Sequence, residues 1–153
     1  MKKLALVIVI MAAFGVLGCA ATSALTTTPL PKTILIIPPD PSVGQIAEYS
    51  GIWTGVWAND LLVPTTIALE KIDKKEVIAV YSWGTFENTP GGWIRVTGKV
   101  KNNSIVLEWG SGQHKTVLIL NLVNKNIQAE YRREGRLTRA TLMKVSAPAP
   151  KSP

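Results

Sequence analysis

The sequence predicts an all-β protein: an antiparallel up-and-down meander of about eight strands, closed into a small β-barrel. Three observations predict it. From Gly51 to Val145 apolar and polar residues alternate, turn residues recur about every ten positions, and no window sustains a helical period of roughly 3.6. Closure follows from the edges. An open meander would leave two strand edges unpaired, and a barrel leaves none.

The first predicted strand, 52–58, opens on Gly51-Ile52-Trp53-Thr54-Gly55-Val56-Trp57, in which Gly and Trp alternate on one face. Asn59-Asp60 turns the chain into the second, 65–72, and Asp73-Lys74-Lys75 into the third, Val77–Trp83. The longest loop, 84–92, ends in Pro90-Gly91-Gly92 and leads to 93–101, where Ile94, Val96 and Val100 oppose Arg95, Thr97 and Lys99. Asn102-Asn103 introduces Ser104–Trp109, Gly110-Ser111-Gly112 introduces 116–122, and Asn124-Lys125-Asn126 introduces 127–133, which sets Ile127, Ala129 and Tyr131 against Gln128, Glu130 and Arg132. Glu134-Gly135 turns the chain into the last strand, 136–144. A barrel of about eight strands is just wide enough to be filled by side chains or to hold one small ligand.

The first 20 residues decide where such a barrel would live. Lys2 and Lys3 precede a charge-free apolar run from Leu4 to Gly18, which is shorter than the roughly 20 residues of a spanning helix and reads as a secretory signal peptide. Val16-Leu17-Gly18-Cys19 resembles the lipobox of bacterial lipoproteins, with leucine one place later than is commonest. The resemblance implies cleavage before Cys19, acyl chains such as palmitate on its sulfur, and, with Ala20 rather than Asp following, sorting to an outer membrane facing the periplasm. The chemistry agrees: Cys19 is the sole cysteine, so it has no partner for an internal disulfide.

Four segments result: a signal peptide over 1–18, a lipidated N-terminus and Thr/Pro-rich tether over 19–45, a barrel over 46–145 and a disordered tail over 146–153. The tether holds Pro29, Pro31, Pro38, Pro39 and Pro41, which resist both helix and central strand. Within it, Thr33-Ile34-Leu35-Ile36-Ile37 reads either as a strand on the barrel's edge or as a patch that docks a partner. Without the signal the remaining 135 residues carry 15 basic and 10 acidic side chains, a net +5.

Gly51-x-Trp53 resembles the opening motif of the lipocalin and calycin families. There the Trp closes one end of the barrel and a basic residue of the last strand packs over its ring; the resemblance implies Arg139, or else Arg136, in that part. Together with Tyr81-Ser82-Trp83-Gly84 and Gly92-Trp93, the opening is also similar to small lipocalin-like domains found alone or attached to bacterial hydrolases, which implies an accessory role.

Trp53, Trp57, Trp83, Trp93 and Trp109 are the candidates for a ligand surface, because flat aromatic faces stack on sugars and bury apolar ligands at little entropic cost; ordinary core packing competes with that reading at each. Trp83 and Trp93 flank the loop where a mouth would be. Catalysis finds little support. His114 is the lone histidine, beside Ser111 but with no orienting group or oxyanion hole signalled, and Glu70, Glu108 and Glu130 are single acids on polar strand faces. No metal-ligand cluster or phosphate-cradling loop is present, so no metal or cofactor is expected. Arg132, Arg133, Arg136 and Arg139 with Lys99, Lys101 and Lys144 could bind phosphates, yet an exported protein meets lipid head groups and acidic glycans, not nucleic acid.

The expectation is therefore an envelope lipoprotein whose non-catalytic barrel binds an apolar or amphipathic small ligand. The alternative is a protein-interaction module of the envelope, inhibitor-like or accessory to a hydrolase. A lysozyme-directed inhibitor is disfavoured by charge, since lysozymes are usually basic and a net +5 repels them.

Overall fold

A computed structural model of the chain describes residues 28–58 and 62–145. The signal segment, Cys19, the Asn59-Asp60 turn and the tail over 146–153 lie outside the described residues. Eight strands follow one another: β1 (Gly51–Val56), β2 (Pro64–Ile72), β3 (Val77–Trp83), β4 (Gly92–Lys101), β5 (Ser104–Trp109), β6 (Thr116–Val123), β7 (Asn126–Arg133) and β8 (Arg136–Val145). Each pairs antiparallel with its successor, and β8 returns to β1 with Val145 opposite Ile52, closing the barrel. The meander and its strand order are those the sequence predicts, with ends moved by two residues at most. Three of its hairpins turn on residues of positive φ, namely Asn102-Asn103, Asn124-Lys125 and Glu134-Gly135, a geometry whose twist matches that of the flanking strands.

The middle of the barrel is filled. Ile67, Leu69, Val77, Ile105, Leu107, Leu118, Leu120, Ile127 and Leu142 are all wholly buried. Two inward glycines let the walls approach: a Cβ on Gly55 would lie 2.5 Å from the Thr141 carbonyl oxygen and 2.7 Å from Leu142 Cδ2, and one on Gly98 would lie 2.5 Å from Leu107 Cδ2. Outward positions elsewhere carry Arg95, Thr97 and Lys99, so the apolar face is the inner one, the reverse of a barrel that spans a membrane.

β2 and β3 depart from this alternation, because their outward residues Thr66, Ala68, Glu70, Val80 and Ser82 are buried too. A strap, residues 28–40, covers them. Of the Thr/Pro-rich stretch expected as a tether over 19–45, the part from Thr28 onward lies on the barrel. This placement corrects the reading of 33–37 as an edge strand, since a closed barrel has no edge to offer. The segment lies across the outer face instead, and a register shift between Leu69 and Lys71 frees the Glu70 carbonyl to accept from Ile37 N at 2.7 Å. The Glu70 carboxylate, 8% exposed, holds Arg95 through Nε at 2.7 Å and Nη2 at 3.1 Å and accepts from Leu35 N at 3.4 Å.

After the strap a 3-10 helix, Pro41–Tyr49, crosses one end of the barrel, kinked at Gly44 where φ is positive. Its start is set by Asp40, whose side chain accepts from Ser42 N, and by Pro41, which has no N–H to leave unpaired. Ile46 and Tyr49 plug the end. The Tyr49 hydroxyl donates to Asn103 O at 3.0 Å and accepts from Leu122 N at 2.7 Å, tying the β4–β5 hairpin to β6.

Candidate functional site

The barrel has a closed pole and an open one, and the tryptophans divide between them. Trp53 belongs to the closed pole: it is buried, its Nε1 donates to Tyr49 O at 2.7 Å, and Lys144 Nζ stands 5.1 Å from its ring centroid. A tryptophan closed at one end and covered by a cation of the last strand is the arrangement that the Gly-x-Trp resemblance implies. The cation is Lys144, however, not Arg139 or Arg136. Lys144 sits directly opposite Trp53 in the β1–β8 register and shares the inward parity of Ala140 and Leu142. Arg139 has the opposite parity, is exposed, and pairs with Glu130 at 3.2 Å. Arg136 starts β8 at the far end.

At the open pole a cavity of about 290 Å³ lies between the loops, lined by Trp57, Val63, Tyr81, Trp83, Phe86, Thr89, Trp109, Tyr131, Arg133 and Thr138. It stands at the lower limit of small-molecule sites, roughly 300 Å³. Strand alternation builds it: Trp57 continues the inward row of Trp53 and Gly55, Tyr81 and Trp83 that of Val77 and Ala79, and Trp109 that of Ile105 and Leu107. The rings contact one another around Tyr81, with centroid distances of 5.3 Å to Trp109, 5.6 Å to Trp83 and 6.1 Å to Tyr131. Trp57 lies 5.7 Å from Tyr131. These tilted pairings stabilise the aromatic wall beyond area burial alone.

Two strand-end details fix the rim. Trp83 lies against Gly92, where a Cβ would come within 2.7 Å of its ring, and Trp83 Nε1 donates to Pro90 O at 3.3 Å. The loop beyond is shaped by a small bridge between Phe86 and Thr89, each donating its N–H to the other's carbonyl.

Two polar atoms are buried in the cavity wall. Trp57 Nε1, in a residue 3% exposed, stands beside the Tyr81 hydroxyl, and Thr138 Oγ1 has no partner. Both atoms are sealed from solvent within the wall and do not open onto the cavity. Burial pushes the Tyr81 phenol above its usual pKa, with the neighbouring Tyr131 adding to the effect, so it remains a neutral donor. The Tyr131 phenol raises the pKa of Arg133. The site offers stacking faces, neutral donors and one guanidinium at its edge.

Trp93 is not brought to this cavity. It shares the outward parity of Arg95, is 43% exposed, and lines a shallow outer groove with Pro31, Leu35, Ile37 and Ile78. Of the five candidate tryptophans, then, Trp57, Trp83 and Trp109 meet, while Trp53 and Trp93 stand apart. Sequence reasoning missed Tyr81, Tyr131 and Phe86 as partners, although the parity of Tyr81 and Tyr131 with buried Ala79 and Ala129 was there to be read. His114 lies in an exposed loop, where its Nδ1 meets Glu134 Oε1 at 2.8 Å. Among the described residues no three His, Cys, Asp or Glu side chains gather to hold a metal ion, and no helix is long and apolar enough to cross a membrane. No protein-family model matches the sequence, and comparison with curated proteins finds no match.

Proposed function

We propose that the protein is a non-catalytic binding barrel of the bacterial cell envelope, anchored by acyl chains on Cys19 to an outer membrane facing the periplasm, whose mouth takes a small apolar or amphipathic ligand. The observation that carries the ligand reading is the aromatic cavity at the open pole, walled by Trp57, Tyr81, Trp83, Trp109 and Tyr131. Because the barrel's middle is packed, the ligand is one that fits a short cup and not a long internal channel. The lipobox resemblance and the lone Cys19 support the anchoring.

Native mass spectrometry on protein purified from envelope extracts tests it, with Trp83→Ala as the cavity variant and Trp93→Ala as a control on the outer face. A copurifying small molecule lost in the first and kept in the second supports the cup. No ligand in the wild type, or equal loss in both variants, refutes it.

A second reading, a protein-interaction module, is favoured by one observation: the exposed Trp93 beside Leu35 and Ile37 on the outer groove. For that reading, Trp93→Ala and not Trp83→Ala abolishes capture of an envelope protein.

A further inference from the structure

The edge of the aromatic cup carries charge of one sign. Six of its ten lining residues are aromatic, and among the described residues that line it Arg133 is the only charged one. Strand alternation puts it there: Arg133 ends the inward row of β7 that runs through Ile127, Ala129 and Tyr131. Arg136 stands directly opposite in the β7–β8 register and heads the inward row of β8, which continues through Thr138, Ala140 and Leu142. Two guanidinium groups therefore face each other across the rim, and like charges so placed destabilise a strand pair.

The cations around them are matched by acids of their own. Arg132 and Arg139, on the outward rows, share Glu130 at 2.7 and 3.2 Å, and Lys115 holds Glu108 at 2.9 Å. For Arg133 and Arg136 the hairpin supplies one carboxylate, Glu134. Its Oε1 takes Arg133 Nε at 3.1 Å and is shared with His114 Nδ1 at 2.8 Å. That contact occupies the Nε–H of Arg133 and leaves the terminal N–H groups of its fork, beside the Tyr131 phenol, with donors to spare.

A ligand that uses both the wall and the rim has two parts. Its body is flat and apolar, because the cup presents ring faces and Val63. Its head is anionic, and a carboxylate matches the planar fork of a guanidinium in a way that a neutral hydroxyl does not. A sugar would stack on the same rings but leave the two arginines uncompensated, and a cation would be repelled by them.

We infer that the cup binds a small organic acid, a flat apolar ring system bearing one carboxylate, with the ring against Tyr81, Trp83 and Trp109 and the carboxylate on Arg133, while Arg136 adds its charge from the opposite strand. The inference rests on the cup's being the ligand site proposed above. It divides the labour within that site: the aromatic wall supplies affinity, and the two inward arginines supply specificity.

Isothermal titration calorimetry on the full-length protein, with detergent alone as the blank, tests it by comparing 2-naphthoate with its neutral counterpart 2-naphthamide. The expected result is that wild type binds the acid about ten-fold more tightly than the amide, the scale of one charge-assisted hydrogen bond. Arg133→Gln abolishes that preference and Arg136→Gln reduces it several-fold. Lys99→Gln, which removes an equal charge from the outer wall, preserves it, and Trp83→Ala weakens both probes alike. Equal binding of acid and amide by wild type overturns the anion specificity and leaves the cup standing as a site for neutral ligands. A preference lost in Lys99→Gln as fully as in Arg133→Gln also overturns it, because overall charge and not the rim is then responsible. Binding of neither probe overturns the inference, and the cup itself then stands or falls on copurification.

Discussion

Replacing Tyr49 with Phe removes a single oxygen atom from the plug of the closed pole. The ring stays in place, so no cavity forms and the transfer energy of the side chain is kept. What is lost is a donor to Asn103 O and an acceptor for Leu122 N, in a residue only 3% exposed. Each hydrogen bond contributes about 0.5–1.5 kcal/mol net, so Tyr49→Phe destabilises the barrel by about 1–3 kcal/mol. For a domain of this size that lowers Tm by roughly 4 °C per kcal/mol. Urea unfolding followed by tryptophan fluorescence measures the free energy; the slope against urea stays unchanged because the buried area does. Amide exchange adds a local readout, with protection at Leu122 falling more than at Leu118. A loss below about 0.5 kcal/mol, within the range of an ordinary surface change, would show that Tyr49 does not tie the β4–β5 hairpin to β6.

Gly55→Ala forces a methyl group toward the Thr141 carbonyl and Leu142, and the resulting overpacking costs about 1–3 kcal/mol; a thermal melt equal to wild type refutes the close approach of β1 and β8. Asp73 is held at about 2, below its ordinary 3.8, first by the Lys71 ammonium and then by the Glu76 and Lys75 amides. A depressed folded-state pKa gives stability that is present above pH 3.8 and lost as pH falls through about 2. The urea midpoint therefore drops across that window, and Asp73→Asn makes the drop smaller. Glu70→Ala removes the carboxylate that Arg95 and Leu35 N share, so the strap loosens: limited proteolysis cuts within 28–40 faster than in wild type while the strands remain protected.

The strands were legible because two local signals agreed at nearly every one. Asn102-Asn103 and Glu134-Gly135 are residues that tolerate the positive φ of tight hairpins, and the runs between turns alternate cleanly. Parity also held the answer for Trp93, which was grouped with the mouth because it flanks the loop: Ile94 and Val96 point inward, so Trp93 points outward. The strap was harder to see, since it depends on a bulge at Glu70, which reads in the sequence as an ordinary polar residue of a strand. The one hint was Thr65 to Leu69 and Val77 to Ser82, whose outward positions hold little charge, as strands covered on both faces do. The cation over Trp53 was misplaced because choosing among Arg136, Arg139 and Lys144 needs the β1–β8 register, and that register joins residues far apart in the chain. The plug by Ile46 and Tyr49 was hidden for the same reason: a short kinked helix gains its stability from the barrel end it covers, not from helix propensity.

The Ile52–Val145 pairing that closes the barrel also governs how the chain can fold. Seven of the eight strand pairings join neighbours in sequence and can zip as hairpins, but β1 has to wait for the whole domain before its second edge is satisfied. Closing so long a loop is an entropic barrier that local contacts do not lower. Until β8 arrives, the Gly-Trp strand is an unpaired edge with two large indoles, the most aggregation-prone species on the route. A nascent or truncated chain that lacks β8 therefore lacks more than one strand: it keeps β1 open along one side, and chaperones would engage it there.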